Sequence, residues 1–138
     1  MIDLKEWFEV GYQYRLDNVT FYSFEGNNSG QEYRPVFYDD IDYKLVDKKA
    51  EVRFTRKLQF EPKGIYDIKV SFIITMTLKD ELPGEISDLT KEFEEALQDI
   101  NCPYMAIVTA KASIVVSQLT MASGQNPFVT PPTFMKRE

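Results

Sequence analysis

From Tyr66 to Leu78 the sequence alternates without a break, and that pattern belongs to a β-strand with one buried face. Tyr66, Ile68, Val70, Phe72, Ile74, Met76 and Leu78 hold the even positions; Asp67, Lys69, Ser71, Ile73, Thr75 and Thr77 hold the odd ones. Successive side chains of a strand point to opposite faces, so one face here is apolar and the other mostly polar. Just upstream, Val52, Phe54, Leu58 and Phe60 alternate with Glu51, Arg53, Thr55, Lys57 and Gln59. Glu61-Pro62-Lys63-Gly64 joins the two runs, which predicts a hairpin closed by a short Pro/Gly turn. Half-polar strands of this kind belong to an antiparallel sheet covered on one side.

Two earlier strands are expected. Val10, Tyr12, Tyr14 and Leu16 share one parity, and Val19 and Phe21 the other, so a β-bulge is expected at Asp17-Asn18. After a Gly/Asn/Ser loop from Gly26 to Gly30, a second strand from about Pro35 to Val46 places Phe37, Ile41, Tyr43 and Leu45 on one face, with Asp39 intruding. Eleven of the nineteen aromatic residues fall between Trp7 and Tyr43. They either pack on the sheet or leave a surface that binds other apolar groups.

Helical spacing takes over after Leu78. Ser87 is a candidate N-cap for Ile86, Leu89, Phe93, Leu97 and Ile100, which run beside an acidic face of Glu92, Glu94, Glu95 and Asp99. Asn101-Cys102-Pro103 ends that helix, and Pro103 suits the first turn of the next, which Gly124 closes. Beyond it, Pro127 to Phe134 is too proline-rich for a helix and reads as an extended tail. The expectation is an α+β fold: one domain over residues 1–138, a four-stranded antiparallel sheet followed by two C-terminal helices packed on one face.

The last helix carries two apolar seams. At about 100° per residue, Met105, Val108, Ala112, Val115, Leu119 and Ala122 form the first, and Ile107, Ala110, Ile114 and Met121 the second. Thr109, Ser113, Ser117 and Thr120 lie opposite, where small side chains permit close approach. A helix at the edge of a monomer needs one apolar stripe. The second is therefore assigned to an interface with another copy, in a homodimer or homotetramer. The alternative is a helix buried more deeply within one subunit.

Chemistry is excluded more often than it is indicated. The chain has no histidine, so imidazole acid–base catalysis and imidazole metal ligation are absent. It has one cysteine, too few for a disulfide or a cysteine-cluster zinc site. No GxGxxG, GxxxxGK[ST], HExxH or CxxC occurs. Asp40 and Asp42 share a strand face and could hold a hard cation weakly, but such carboxylates are more often solvated strand surface. Cys102 is most simply a small buried residue at the corner between the helices. A net charge of −6 disfavours nucleic acid and anionic membranes as partners. The charged start of the chain is no signal peptide, and Tyr104–Ala122 is interrupted by Lys111, Gln118 and hydroxyl residues, so a cytoplasmic protein without a membrane span is expected. Neither a metal nor an organic cofactor is expected, and no enzymatic activity.

The C-terminal third carries a resemblance. Cys102-Pro103, a long helix, a glycine and a Pro…Pro-Pro-x-Phe tail resemble the end of the SecB-type protein-export chaperones. Asn18-Val19-Thr20-Phe21 is similar to that family's Asp-Ile-Ser-Phe element, and Tyr33-Arg34-Pro35 to its Trp-x-Pro entry to the second strand. Among such proteins the chain resembles most the SecB-like ones of streptococci and related Firmicutes. The resemblance implies a dimer of dimers that wraps unfolded clients in apolar grooves and hands them to the SecA motor through an acidic sheet face. Asn18, Tyr22 and Lys69 stand where that face has acids, and Lys136-Arg137-Glu138 replaces a longer tail, which argues against SecA as a partner.

Client binding is expected at Phe128, Val129 and Phe134, with Tyr12, Tyr14, Phe37 and Tyr43 as the floor, unless Phe128 and Phe134 only pin the tail to the sheet. Two other functions fit the same residues: a dimeric module dedicated to one partner, as in SecB-like chaperones of toxin–antitoxin pairs, and a hot-dog-like thioesterase domain. A hot-dog helix usually falls between early strands, whereas here the strands come first.

Overall fold

The computed structural model describes residues 3–24, 30–85 and 90–136. A single helical turn, α1 (Leu4–Trp7), opens them, capped by the Asp3 carboxylate on the Lys5 N–H at 3.0 Å. Sequence reasoning did not anticipate this turn. Four strands follow: β1 (Phe8–Ser23), β2 (Arg34–Val46), β3 (Lys49–Glu61) and β4 (Tyr66–Leu78). Then come α2 (Thr90–Gln98) and α3 (Pro103–Ala122).

The strands form one antiparallel sheet in the order β1-β4-β3-β2. The even positions of β3 and β4 are buried, as the alternation predicts, and Thr55, Ser71 and Ile73 are buried on the other parity as well. The register of β1 against β4 shifts between Leu16 and Asn18, at the expected bulge, and again between Phe8 and Tyr12. The β3–β4 turn is close-packed at its glycine: a β-carbon at Gly64 would sit 2.7 Å from the Tyr33 ring, which would have to shift.

Both long helices lie on one face of the sheet. Phe93 of α2 packs against Phe8 and Tyr43, with ring centroids 5.5 and 4.9 Å apart. Ile86, Ser87 and Leu89, expected in this helix, lie outside the described residues. Ile100, expected on its apolar stripe, falls after the helix and is exposed, because α2 has already ended at Gln98. Pro103 takes the first turn of α3, and Gly124 follows its end at a φ of +88°. Length and composition would let α3 cross a membrane. Here it packs on the sheet, burying Met105, Val108, Ala112 and Val116.

Of the first seam, Val115 and Leu119 are half-buried and Ala122 is exposed, while Val116, in neither seam, is buried. The tail lies on the other side of the buried stripe. Thr109, Ser113 and Thr120, beside the buried stripe, are themselves buried under it, so the covered part of α3 is wider than either seam.

Candidate polypeptide-binding surface

Residues 125–136 run as an extended strap from the end of α3 back across β3 and β2. A proline-rich segment cannot pair as a strand, so its backbone groups need other partners. Side chains of the domain supply them. Four consecutive strap carbonyls each accept a hydrogen bond: Thr130 O from the Ser113 hydroxyl, Pro131 O from Arg56 Nη1 at 2.6 Å, Pro132 O from the Thr109 hydroxyl at 2.7 Å, and Thr133 O from Arg56 Nη2 at 2.8 Å. At the ends, the Phe128 N–H donates to Thr120 Oγ1 at 2.8 Å and the Met135 N–H to Asp39 Oδ2 at 2.7 Å. The Asp39 N–H in turn donates to Met135 O at 2.7 Å, hooking the strap's end onto β2.

Arg56 is the centre of this seat and is wholly buried. Its Nε and Nη2 donate to Asp39 Oδ1 and Oδ2 at 2.7 and 2.8 Å, a two-pronged ion pair across the β2–β3 ladder. Its Nη1 also donates to Thr130 Oγ1 at 2.9 Å. Nε has one partner and each terminal nitrogen two, so all five guanidinium protons are used. Burial pushes the Asp39 carboxyl above its ordinary value, while the Arg56 hydrogen bonds and charge and the Met135 N–H draw it back down. The pair breaks the alternation on both strands. Asp39 intrudes visibly among apolar residues, but Arg56 stands at the even position between Phe54 and Leu58, where sequence reasoning passed over it.

The aromatic residues assigned to client binding are not gathered in one place. Phe128 turns its ring toward Phe37 and Phe60, both 6.3 Å away, and Phe134 toward Phe54 at 6.2 Å. Tyr12 packs edge-on against Tyr104, centroids 5.3 Å apart, and Tyr43 against Phe93. Tyr14 is different. It faces Ile74 across the ladder, and Leu16 faces Phe72, so both lie on the helix side of the sheet yet remain open, at 39% and 52% exposure. On α3, Ile107 and Ala110 are half-buried while Ile114 and Met121 are 50% and 58% exposed; Val129 of the strap is 74% exposed.

The opposite face of the sheet is polar and of mixed charge. Asp17 lies 3.4 Å from both Arg15 and Arg53, and Lys57 lies 4.0 Å from Asp40. Lys69 pairs in register with Thr20 on one side and Lys57 on the other. Asn18, Tyr22 and Lys69 are all exposed. Asp40 and Asp42 lie in register with Thr55 and Arg53. Among the described residues no group of three or more acidic, cysteine or histidine side chains is placed to hold a metal.

No protein-family model matches the sequence, and no curated protein matches it. Among solved structures the chain is similar to the Mycobacterium tuberculosis SecB-like chaperone Rv1957, determined in complex with a ChAD peptide from the Rv1956 HigA1 antitoxin. The TM-score is 0.59 at 11% identity, over 87% of this chain and 89% of that one. The chain has a SecB-like fold: an open four-stranded antiparallel sheet followed by C-terminal helices.

Proposed function

We propose that this chain is a non-enzymatic SecB-like chaperone that holds unfolded or extended polypeptides, acting in the cytoplasm as a homodimer or homotetramer. The observation that carries the reading is the apolar surface left open on the helix side of a SecB-like fold: Tyr14, Leu16, Ile114, Met121 and Val129. These exposed apolar side chains are available for association with clients or with other copies. The nearness to streptococcal and other Firmicutes SecB-like proteins stays a reading of the sequence. Docking to SecA is expected to be weak, because the polar face pairs its charges internally and exposes Lys69 where acids would be needed.

A second reading is favoured by one observation, the antitoxin peptide bound to the mycobacterial neighbour. In that reading the chain serves a single partner. Client breadth separates the two. A general holdase at stoichiometric ratio suppresses the aggregation of several unrelated heat-denatured proteins. Suppression of none of them, together with co-purification of one dedicated polypeptide, would replace the first reading by the second.

A further inference from the structure

The seat under the strap reads main chain. Four successive carbonyls are met by two hydroxyls and one guanidinium, and only Thr130 is held there by a polar side-chain contact as well. Recognition of this kind is nearly independent of sequence, but it is not independent of backbone chemistry. In the middle of the seat Ser113, Arg56 and Thr109 all act as donors toward the strap, and the residues lying there, Pro131 and Pro132, have no N–H to satisfy. At the ends the strap's N–H groups are accepted, by Thr120 Oγ1 and Asp39 Oδ2. Apolar slots flank the donors: Phe37 and Phe60 on one side, Phe54 on the other. Asp39 neutralises Arg56 whether or not the strap is present, so the guanidinium would keep its partner if the strap left.

We propose that this seat is a binding site for an extended segment of another polypeptide, with prolines at its centre and an aromatic residue on either side, and that the strap is its resting occupant. The inference rests on the polypeptide-holding function proposed above and names the segment that one of its sites takes. Proline-bearing segments are pre-extended, so little conformational entropy is lost when one docks. An incoming segment replaces the strap's carbonyls one for one, and a hydroxyl residue ahead of its prolines takes the Arg56 Nη1 proton that Thr130 Oγ1 accepts in the strap. The strap competes as a tethered ligand at an effective concentration in the millimolar range, which keeps the site closed to weak segments. Loosening the strap raises apparent affinity in proportion to the fraction of open seats.

The test uses the full chain and a fluorescein-labelled peptide copying residues 126–136, read by anisotropy. Phe134→Ala, which weakens the strap without touching a donor, is expected to bind the peptide at least about 10-fold more tightly than the wild type. A peptide carrying Pro131→Ala and Pro132→Ala is expected to bind several-fold more weakly. Equal affinity of wild type and variant, equal affinity of the two peptides, or a strap-exchanged dimer without gain in peptide binding would each overturn the proposal. Should the variant fail to fold, saturating peptide on the wild type decides by hydrogen exchange. The Phe128 and Met135 amides must lose protection as the strap is displaced; retained protection refutes the site. If the chain captures an unfolded protein while the strap peptide shows no such behaviour, the chaperone reading stands and this inference alone fails.

Discussion

Asp39 and Arg56 face each other across β2 and β3 as a fully buried, two-pronged ion pair, and the C-terminal strap is tied to both. A buried pair is weak evidence for stability, because its attraction is set against the desolvation of two charges. Losing one partner is another matter, since it strands the other. Asp39→Ala is expected to cost about 3–5 kcal/mol in urea unfolding, and Asp39→Leu combined with Arg56→Met much less than the two single changes summed. Strict additivity would contradict the pairing.

The β3–β4 turn carries a second expectation. A methyl group at Gly64 meets Tyr33 at 2.7 and 2.9 Å, so Gly64→Ala is expected to cost about 1–3 kcal/mol. In a Tyr33→Ala background most of that cost should vanish. Thermal unfolding of the four proteins of this cycle checks it, and an unchanged penalty would place the strain elsewhere.

The sheet was legible because its alternation is local. Each strand of the hairpin shows its buried face within its own residues, and the parity switch at Asp17-Asn18 marks a real shift in register. The helix pair was legible from Pro103 and Gly124, whose backbone preferences bind them to the start and stop of α3. The strap's seat was not. Arg56 and Thr130 are 74 residues apart, and nothing in either neighbourhood signals the other. The one trace was that Asp39 and Arg56 both break an apolar parity, which reads as a pair only once the strands are in register. Thr109, Ser113 and Thr120 belong to a small-residue face that permits close approach, and what approaches them is the chain's own tail.

Cys102 gives a pH-dependent expectation. Burial pushes its thiol above the ordinary value, against the lowering effect of the Met105 and Tyr104 N–H groups. A raised value in the folded state means that the protonated thiol is favoured by folding. That contribution is fully present below the ordinary thiol range and is lost as pH rises through the folded-state value. Cys102 is therefore expected to react slowly with an aromatic disulfide reagent at pH 8 in native buffer and rapidly in denaturant. Equal rates would show an open thiol.

Assembly is tested at Ile114, half exposed on the outward side of α3 with Met121 beside it. A lysine there is tolerated by an isolated chain but not by an apolar interface between copies. Light scattering at tens of micromolar is expected to show a dimer or tetramer for the wild type and a smaller species for Ile114→Lys with unchanged circular dichroism. A monomeric wild type would remove the interface, and a variant that unfolds would place Ile114 inside the subunit's own core.

Polypeptide holding itself is tested by calorimetric titration of the wild-type chain with a reduced, carboxymethylated protein that cannot fold. Saturable binding with a Kd in the micromolar range is expected, corresponding to roughly −8 kcal/mol at 1 µM, with a negative heat-capacity change from apolar burial. Absence of binding at a hundredfold higher concentration, by a chain shown to be folded and soluble, would contradict the chaperone reading.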